Sequence, residues 1–403
     1  MSGDGVSTSD LSDTFKKPSV DSSEVVLYWV ILKIAQRCNL DCTYCYVYNR
    51  GDSSWKSRPA FVSDKVIKAL AARVVEHCDA YHLDRFIIEL HGGEPLLFGR
   101  RRMQALIDAL RRDCPGIRID FLLQTNGLLL DQDWLKFFAA NDMRFGISCD
   151  GPEEFGDKRR IHKDGRGSTR QLLEIIRSLR DGSSLFDDLK PGFLCVVDPL
   201  ADGRRVVRWF GEQQFRSFDL LLPDCTFANL PQGWVGAEPY RRFLLDAFEE
   251  WHSLGASAPR IRLFEQMLSA FLGVRPSMDY LGGDPRRLCV VESDGSMGLS
   301  DLMRICGGRY AEDELSVFDD RLDAIAPRHG LDFLQQPCAT CQNCVYFDAC
   351  RGGLLSHRFD GVSFDNPSVY CSVLYSLAAA AFDKWRAALP AHAVSPPSTG
   401  ARL

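Results

Sequence analysis

Apolar runs of five to ten residues alternate with amphipathic stretches from residue 25 to residue 222. The apolar runs Val25–Ile34, Phe86–Leu90, Ile119–Gln124, Arg144–Cys149, Gly192–Val197 and Phe218–Leu222 read as strands. Between them, Asp64–Cys78, Arg101–Arg112, Asp133–Ala140, Ser168–Arg180 and Arg204–Gln213 repeat apolar residues at helical spacing. Strand–helix alternation of this kind makes a parallel sheet, with the helices as crossovers. Six such units are too few for a closed barrel of eight. The expectation is an α/β fold, a partial (β/α)6 barrel.

Residues 236–288 read as a helical linker, with two helices within 238–273, and 289–390 as a small auxiliary domain of short strands and turns. Helix Val373–Ala387 closes the fold. The Ser/Asp-rich lead-in, 1–24, and the tail, 391–403, read as disordered. The core domain is then 25–235.

Chemistry concentrates at strand ends, where parallel α/β sheets place it. Cys38, Cys42 and Cys45 follow the first strand with C-x3-C-x2-C spacing. Three thiolates are one fewer than a four-iron cluster can use, which leaves one iron open for a small ligand. A zinc knuckle is the alternative. The run Gly92-Gly93-Glu94-Pro95 follows the second strand and Gln124-Thr-Asn126-Gly the third. Near the carboxy terminus, Cys341, Cys344, Cys350 and Cys371 suit zinc or a second four-iron cluster equally by spacing. Cys289, Cys306 and Cys338 are left over and could build another cluster.

Composition narrows the class. The net charge of −6 argues against a general nucleic-acid binder. No run of about 18 apolar residues is present to span a membrane. Fifteen cysteines without a secretion signal favour metal ligation in a reducing compartment, the cytoplasm.

The C-x3-C-x2-C and Gly-Gly-Glu-Pro motifs resemble those of the radical S-adenosylmethionine (SAM) enzymes, over residues 25–225. The resemblance implies that Cys38, Cys42 and Cys45 hold a [4Fe–4S] cluster whose open iron chelates SAM. Tyr44 would pack near the adenine; Gly92, Gly93 and Glu94 would meet the amino group. Ser148 would bond the ribose and Arg160 the carboxylate, with Arg159 a neighbour. Gln124 and Asn126 would line the same rim or bond within their turn.

The carboxy-terminal cysteines resemble a SPASM extension, which implies an auxiliary [4Fe–4S] cluster on Cys341, Cys344, Cys350 and Cys371. Leu354 and Ser300 stand where that pattern has further cysteines. Asp301 matches a position that removes a proton in the sulfatase-maturing branch, and inside a closed site its pKa would be raised.

Runs such as Lys33-Ile-Ala-Gln-Arg-Cys-Asn-Leu40, Leu302-Met-Arg-Ile-Cys-Gly307 and Phe364-Asp-Asn-Pro-Ser-Val-Tyr-Cys371 resemble FxsB-like peptide maturases. That implies crosslinking of a ribosomally made precursor peptide, aromatic ring to β-carbon, with flavodoxin or ferredoxin as electron donor. The rival expectation is oxidation of a serine or cysteine to formylglycine on a sulfatase.

Overall fold

The computed structural model describes residues 26–310 and 315–388; the lead-in 1–24 and the tail 391–403 lie outside the described residues. Six strands follow one another in the sheet in chain order: β1 (Trp29–Ala35), β2 (Arg85–Gly92), β3 (Arg118–Thr125), β4 (Arg144–Ser148), β5 (Gly192–Val196) and β6 (Ser217–Leu221). All pair in parallel. The crossovers are α1 (Asp64–Tyr81), α2 (Arg100–Asp113), α3 (Gln132–Ala140), α4 (Thr169–Gly182) and α5 (Gly203–Glu212).

Local chemistry sets their starts. Ser63 caps α1 by accepting from Val66 N, and Asp131 caps α3 by accepting from Trp134 N at 2.8 Å. Asp202 caps α5 through Arg204 N and Arg205 N. Strands buried on both faces need apolar residues throughout, and Val30, Leu32, Ile34, Phe86, Ile88 and Leu90 are all fully buried.

The sheet is wider than six strands. β7 (Arg260–Ile261) adds in parallel beside β6. On the other side β8 (Leu288–Val291) pairs in parallel with β1, Trp29 opposite Leu288. β9 (Ser296–Gly298) and β10 (Leu315–Ser316) continue antiparallel, giving ten strands in the order β10-β9-β8-β1-β2-β3-β4-β5-β6-β7. Two-residue and four-residue strands leave almost no periodicity to read, so the sequence pattern missed these edges.

Two helices, α6 (Glu238–Leu254) and α7 (Arg262–Ala270), flank β7, and α8 (Cys371–Ala387) closes the chain. At the junction of α5 with α6, a Cβ on Gly203 would lie 2.1 Å from Phe243 O. Only glycine permits that approach. The carboxy-terminal segment is knotted by Arg358, which is buried and donates to the carbonyls of Phe364, Asn366, Gln335 and Gln336. Tyr370, also buried, donates to Pro223 O at 3.0 Å and so ties this segment to the end of β6.

Candidate active site

Every predicted rim motif sits at the carboxyl end of a parallel strand. The cysteine loop leaves β1 and is laced to its neighbours by backbone bonds: Asp41 N to Ile161 O and Thr43 N to Arg159 O. The Gly-Gly-Glu run lies against the chain just before Cys38, with Gly93 N donating to Ala35 O at 2.8 Å and Glu94 N to Arg37 O at 2.9 Å. A Cβ on Gly92 would stand 2.0 Å from Ala35 O, and one on Gly93 1.9 Å from the Tyr48 hydroxyl. These glycines are there because two loops touch.

Glu94 has no exposed surface, and its carboxylate accepts from Leu96 N, Thr125 Oγ1 and Asn126 N at 2.7–3.0 Å. With three donors engaged, it fastens the β2 loop to the β3 turn. Two of these bonds fall on Oε1 and one on Oε2, so Oε2 keeps an acceptor site beside the one that Asn126 N fills. Asn126 then carries the connection to the thiols. Its amide donates to Asn39 Oδ1 at 2.7 Å and to Cys38 Sγ at 3.8 Å. Gln124 donates to Ser148 Oγ at 2.9 Å, bringing β3 and β4 side chains together on the same rim.

Arg160 is buried and donates to the Tyr44 hydroxyl at 2.8 Å; Tyr44 donates onward to Asp150 at 2.7 Å. Asp150 in turn accepts from Val196 N at the end of β5. Arg160 and Tyr44 therefore link the cysteine loop to β4 and β5. Neighbouring Arg159 goes to Asp198 instead, at 3.4 Å.

Asp301 comes from the far side of the sheet, on a short 3-10 turn (Asp301–Cys306) after β9. It is buried, forms an ion pair with Lys33 and accepts from the Tyr46 hydroxyl at 3.1 Å. Burial alone would raise its pKa, but the Lys33 ammonium first, and His91 and Arg304 behind it, together hold it below the usual carboxylate range. The expectation of a raised Asp301 is thereby corrected: a buried cation beside it was invisible in the spacing.

The sequence reading passed over several groups around it. Lys33 was an odd charge in an apolar strand, which is the signal that could have found it. Burial pushes Glu89 and Asp224 up to about 7 each, and Asp224 accepts from the Tyr280 hydroxyl at 2.9 Å. Asp224 also lines a small pocket with Thr43, Tyr44 and Arg50, beside the cysteine loop.

The second cysteine group converges. Cys341, Cys344, Cys350 and Cys371 line a cavity of about 220 Å³ walled by Phe347, Leu374 and Tyr375. Cys338 lies beside Cys341: after burial, it is the largest influence raising the Cys341 thiol to about 12. Cys289 and Cys306 do not join it. Cys289 is fully buried in the apolar core on β8, and burial alone raises each of these two thiols to about 12. Of the three thiols expected to build another cluster, Cys289 lies on β8 within the sheet, and neither it nor Cys306 lines this cavity. Ser300 caps the Asp301–Cys306 turn through Leu302 N, and Leu354 is buried. Among the described residues no group of three or more His, Cys, Asp or Glu converges on a single-ion site.

The family model of the Radical SAM superfamily matches residues 32–184. A serine-type anaerobic sulfatase-maturating enzyme of Klebsiella aerogenes is 30% identical over 353 residues, covering 83% of this chain and 81% of the relative. The chain belongs to the radical SAM superfamily. A cysteine-type anaerobic sulfatase-maturating enzyme of Clostridium novyi is 26% identical, covering 86% of this chain and 92% of the relative. The solved structure of native anSMEcpe with bound AdoMet and Cp18Cys peptide superimposes with a TM-score of 0.75 at 25% identity, over 89% of this chain and 98% of that one.

These relatives overturn the crosslinking expectation. Likeness over 83–86% of the chain runs to sulfatase-maturating enzymes, which favours the rival expectation, oxidation of a serine or cysteine, over crosslinking.

As a radical SAM enzyme the protein uses a [4Fe–4S] cluster and SAM, and the residues present fit both. Cys38, Cys42 and Cys45 are free thiols on one loop. Burial raises Cys38 to about 12 and Cys45 to about 11, and raises Cys42 as well. Thiols so placed become thiolates when iron supplies the missing positive charge. Leu40 N and the Asn126 amide already point at Cys38 Sγ. The carboxy-terminal cavity meets the same requirement, with four thiols around an apolar void.

Proposed function

We propose that this enzyme oxidises a cysteine or serine side chain of a peptide substrate to the aldehyde level, as in maturation of a sulfatase. The observation that carries the reading is the bond from Tyr46, one residue beyond Cys45, to Asp301. It supports an ionised carboxylate beside the cluster loop. Likeness to both cysteine-type and serine-type sulfatase-maturating enzymes, over 83–86% of this chain, supports the substrate class.

Oxidation of CH2–SH or CH2–OH to a double bond removes a hydrogen atom, a proton and an electron. When bound, the clusters and SAM supply the hydrogen-abstracting 5′-deoxyadenosyl radical and take up the surplus electron. The proton is left to the chain. Asp301, held as a carboxylate, accepts it from the substrate thiol or hydroxyl; a thioaldehyde then exchanges sulfur for water's oxygen, releasing hydrogen sulfide. The rim residues hold the cofactor pocket in shape: Glu94 and Asn126 brace the Cys38 loop, and Arg160 with Tyr44 braces its other end.

In this reading Cys341, Cys344, Cys350 and Cys371 would hold one auxiliary [4Fe–4S] cluster, which would supply an electron acceptor. A small donor of the flavodoxin or ferredoxin type would supply the reducing electron, in a reducing cytoplasm. The test is anaerobic turnover of the reconstituted enzyme on cysteine and serine peptides of sulfatase type. A serine losing two hydrogens, or a cysteine becoming an aldehyde, supports the proposal. Release of 5′-deoxyadenosine with every peptide unchanged sinks it.

A further inference from the structure

Lys33 is 3% exposed and lies in the middle of the sheet, an expensive place for an ammonium group without partners. It has two. One is Asp301, across the β1–β8 side of the site; the other is His91, its register neighbour on β2, whose Nδ1 lies 2.9 Å from Lys33 Nζ. An ammonium can only donate, so His91 Nδ1 is the acceptor and the ring proton is assigned to Nε2. Burial first, and the Lys33 charge second, push the imidazole down to about 3. The ring is neutral wherever the enzyme works.

We propose that Lys33 is a positioning residue that holds Asp301 as a carboxylate and His91 as a neutral Nε2–H donor, so that the substrate side chain meets an acceptor and a donor together. This rests on the peptide-oxidation reading, in which Asp301 takes the proton. A neutral donor beside the acceptor suits the substrate's sulfur or oxygen, which gains electron density as its proton leaves.

The groups that act on Asp301 come from several elements. Lys33 stands on β1, Glu89 and His91 on β2, Tyr46 on the cysteine loop, Asp224 beyond β6, Glu292 after β8 and Arg304 on its own turn. Arg304 turns to Glu292 at 2.9 Å, while Lys33 makes the direct ion pair with Asp301. Removing the Lys33 charge therefore removes the cation in contact. The Asp301 pKa then rises, and the carboxylate form is reached only at higher pH.

The experiment compares wild-type holoenzyme with Lys33→Met and Lys33→Arg, reading aldehyde formed per 5′-deoxyadenosine released as a function of pH. In Lys33→Met the acid limb moves up by about one unit, so coupled product on that limb falls about tenfold; Lys33→Arg keeps the wild-type limb. In an Asp301→Asn background, Lys33→Met changes the profile no further. A folded, iron-loaded Lys33→Met with the wild-type limb overturns the proposal, as does a full independent effect in the double variant.

If wild-type enzyme makes no aldehyde at all, the oxidation reading is what fails. The Lys33 inference is then decided by imidazole nitrogen resonances of histidine-labelled protein, identified by their loss in His91→Gln. An Nε2–H tautomer that changes in Lys33→Met supports the inference; an Nδ1–H tautomer in the wild type overturns it.

Discussion

Asp301 shows how little a residue's type says about its chemistry until its neighbours are known. With Lys33 beside it the carboxyl is ionised, and Asp301→Asn should abolish that acceptor without touching the cysteine loop. We expect aldehyde formation to fall by about 10²-fold or more, while uncoupled release of 5′-deoxyadenosine persists; unchanged coupled turnover would exclude Asp301 as the base.

His357 offers a stability test at the same scale. It is 1% exposed, its Nε2 has no hydrogen-bond partner among the described residues, and burial lowers its pKa to about 3. A histidine depressed in the fold contributes stability that is present above its unfolded pKa and lost as the pH falls below it. From roughly pH 6.5 to pH 5 that loss is about 2 kcal/mol at 1.36 kcal/mol per unit. His357→Leu should flatten this part of the acid limb in denaturant unfolding, and an unchanged slope would refute the assignment.

At the scale of elements, the β1, β2 and β3 loops act as one piece. Glu94 accepts three hydrogen bonds from the loops that follow β2 and β3, and Asn126 passes the constraint to Cys38. Glu94→Gln turns an amide NH2 toward those donors, so a cost of about 1–3 kcal/mol is expected, with weaker iron retention by the amino-terminal loop. Unfolding by denaturant and iron content, read on the same sample, check both. Gly93→Ala tests the close approach from the other side. A methyl 1.9 Å from the Tyr48 hydroxyl and 2.5 Å from the Arg37 carbonyl forces the loops apart, costing about 1–3 kcal/mol by overpacking. Wild-type stability in this variant would mean that the loops separate freely.

For the whole molecule, the thiols sort into two gatherings and a remainder. Three sit on the β1 loop and four line the carboxy-terminal cavity with Cys338 at its edge, while Cys289 is core. Reconstituted protein should hold about eight irons at four per cluster. Cys344→Ala should lower this by about four, and Cys289→Ser by none. About twelve irons in the wild type would contradict the placement of Cys289.

The six parallel strands and five crossover helices were legible because each strand is long enough to show a buried apolar run and each helix long enough to repeat. The flanking strands were not. β7 and β10 have two residues each, and β8 lies more than 250 positions from the β1 strand it pairs with. No local pattern reports such a partner.

The cysteine spacings by themselves marked two groups of thiols able to hold a metal, since ligand spacing is a property of the chain. Apolar periodicity likewise determined the parallel core, because burial on both faces demands it. Tertiary structure alone decided what Asp301 is. Its ionisation depends on an ammonium 268 positions earlier in the chain, brought alongside because β8 docks on β1 and carries the following turn over the site. Charges act through space, and only the folded sheet sets which of them meet.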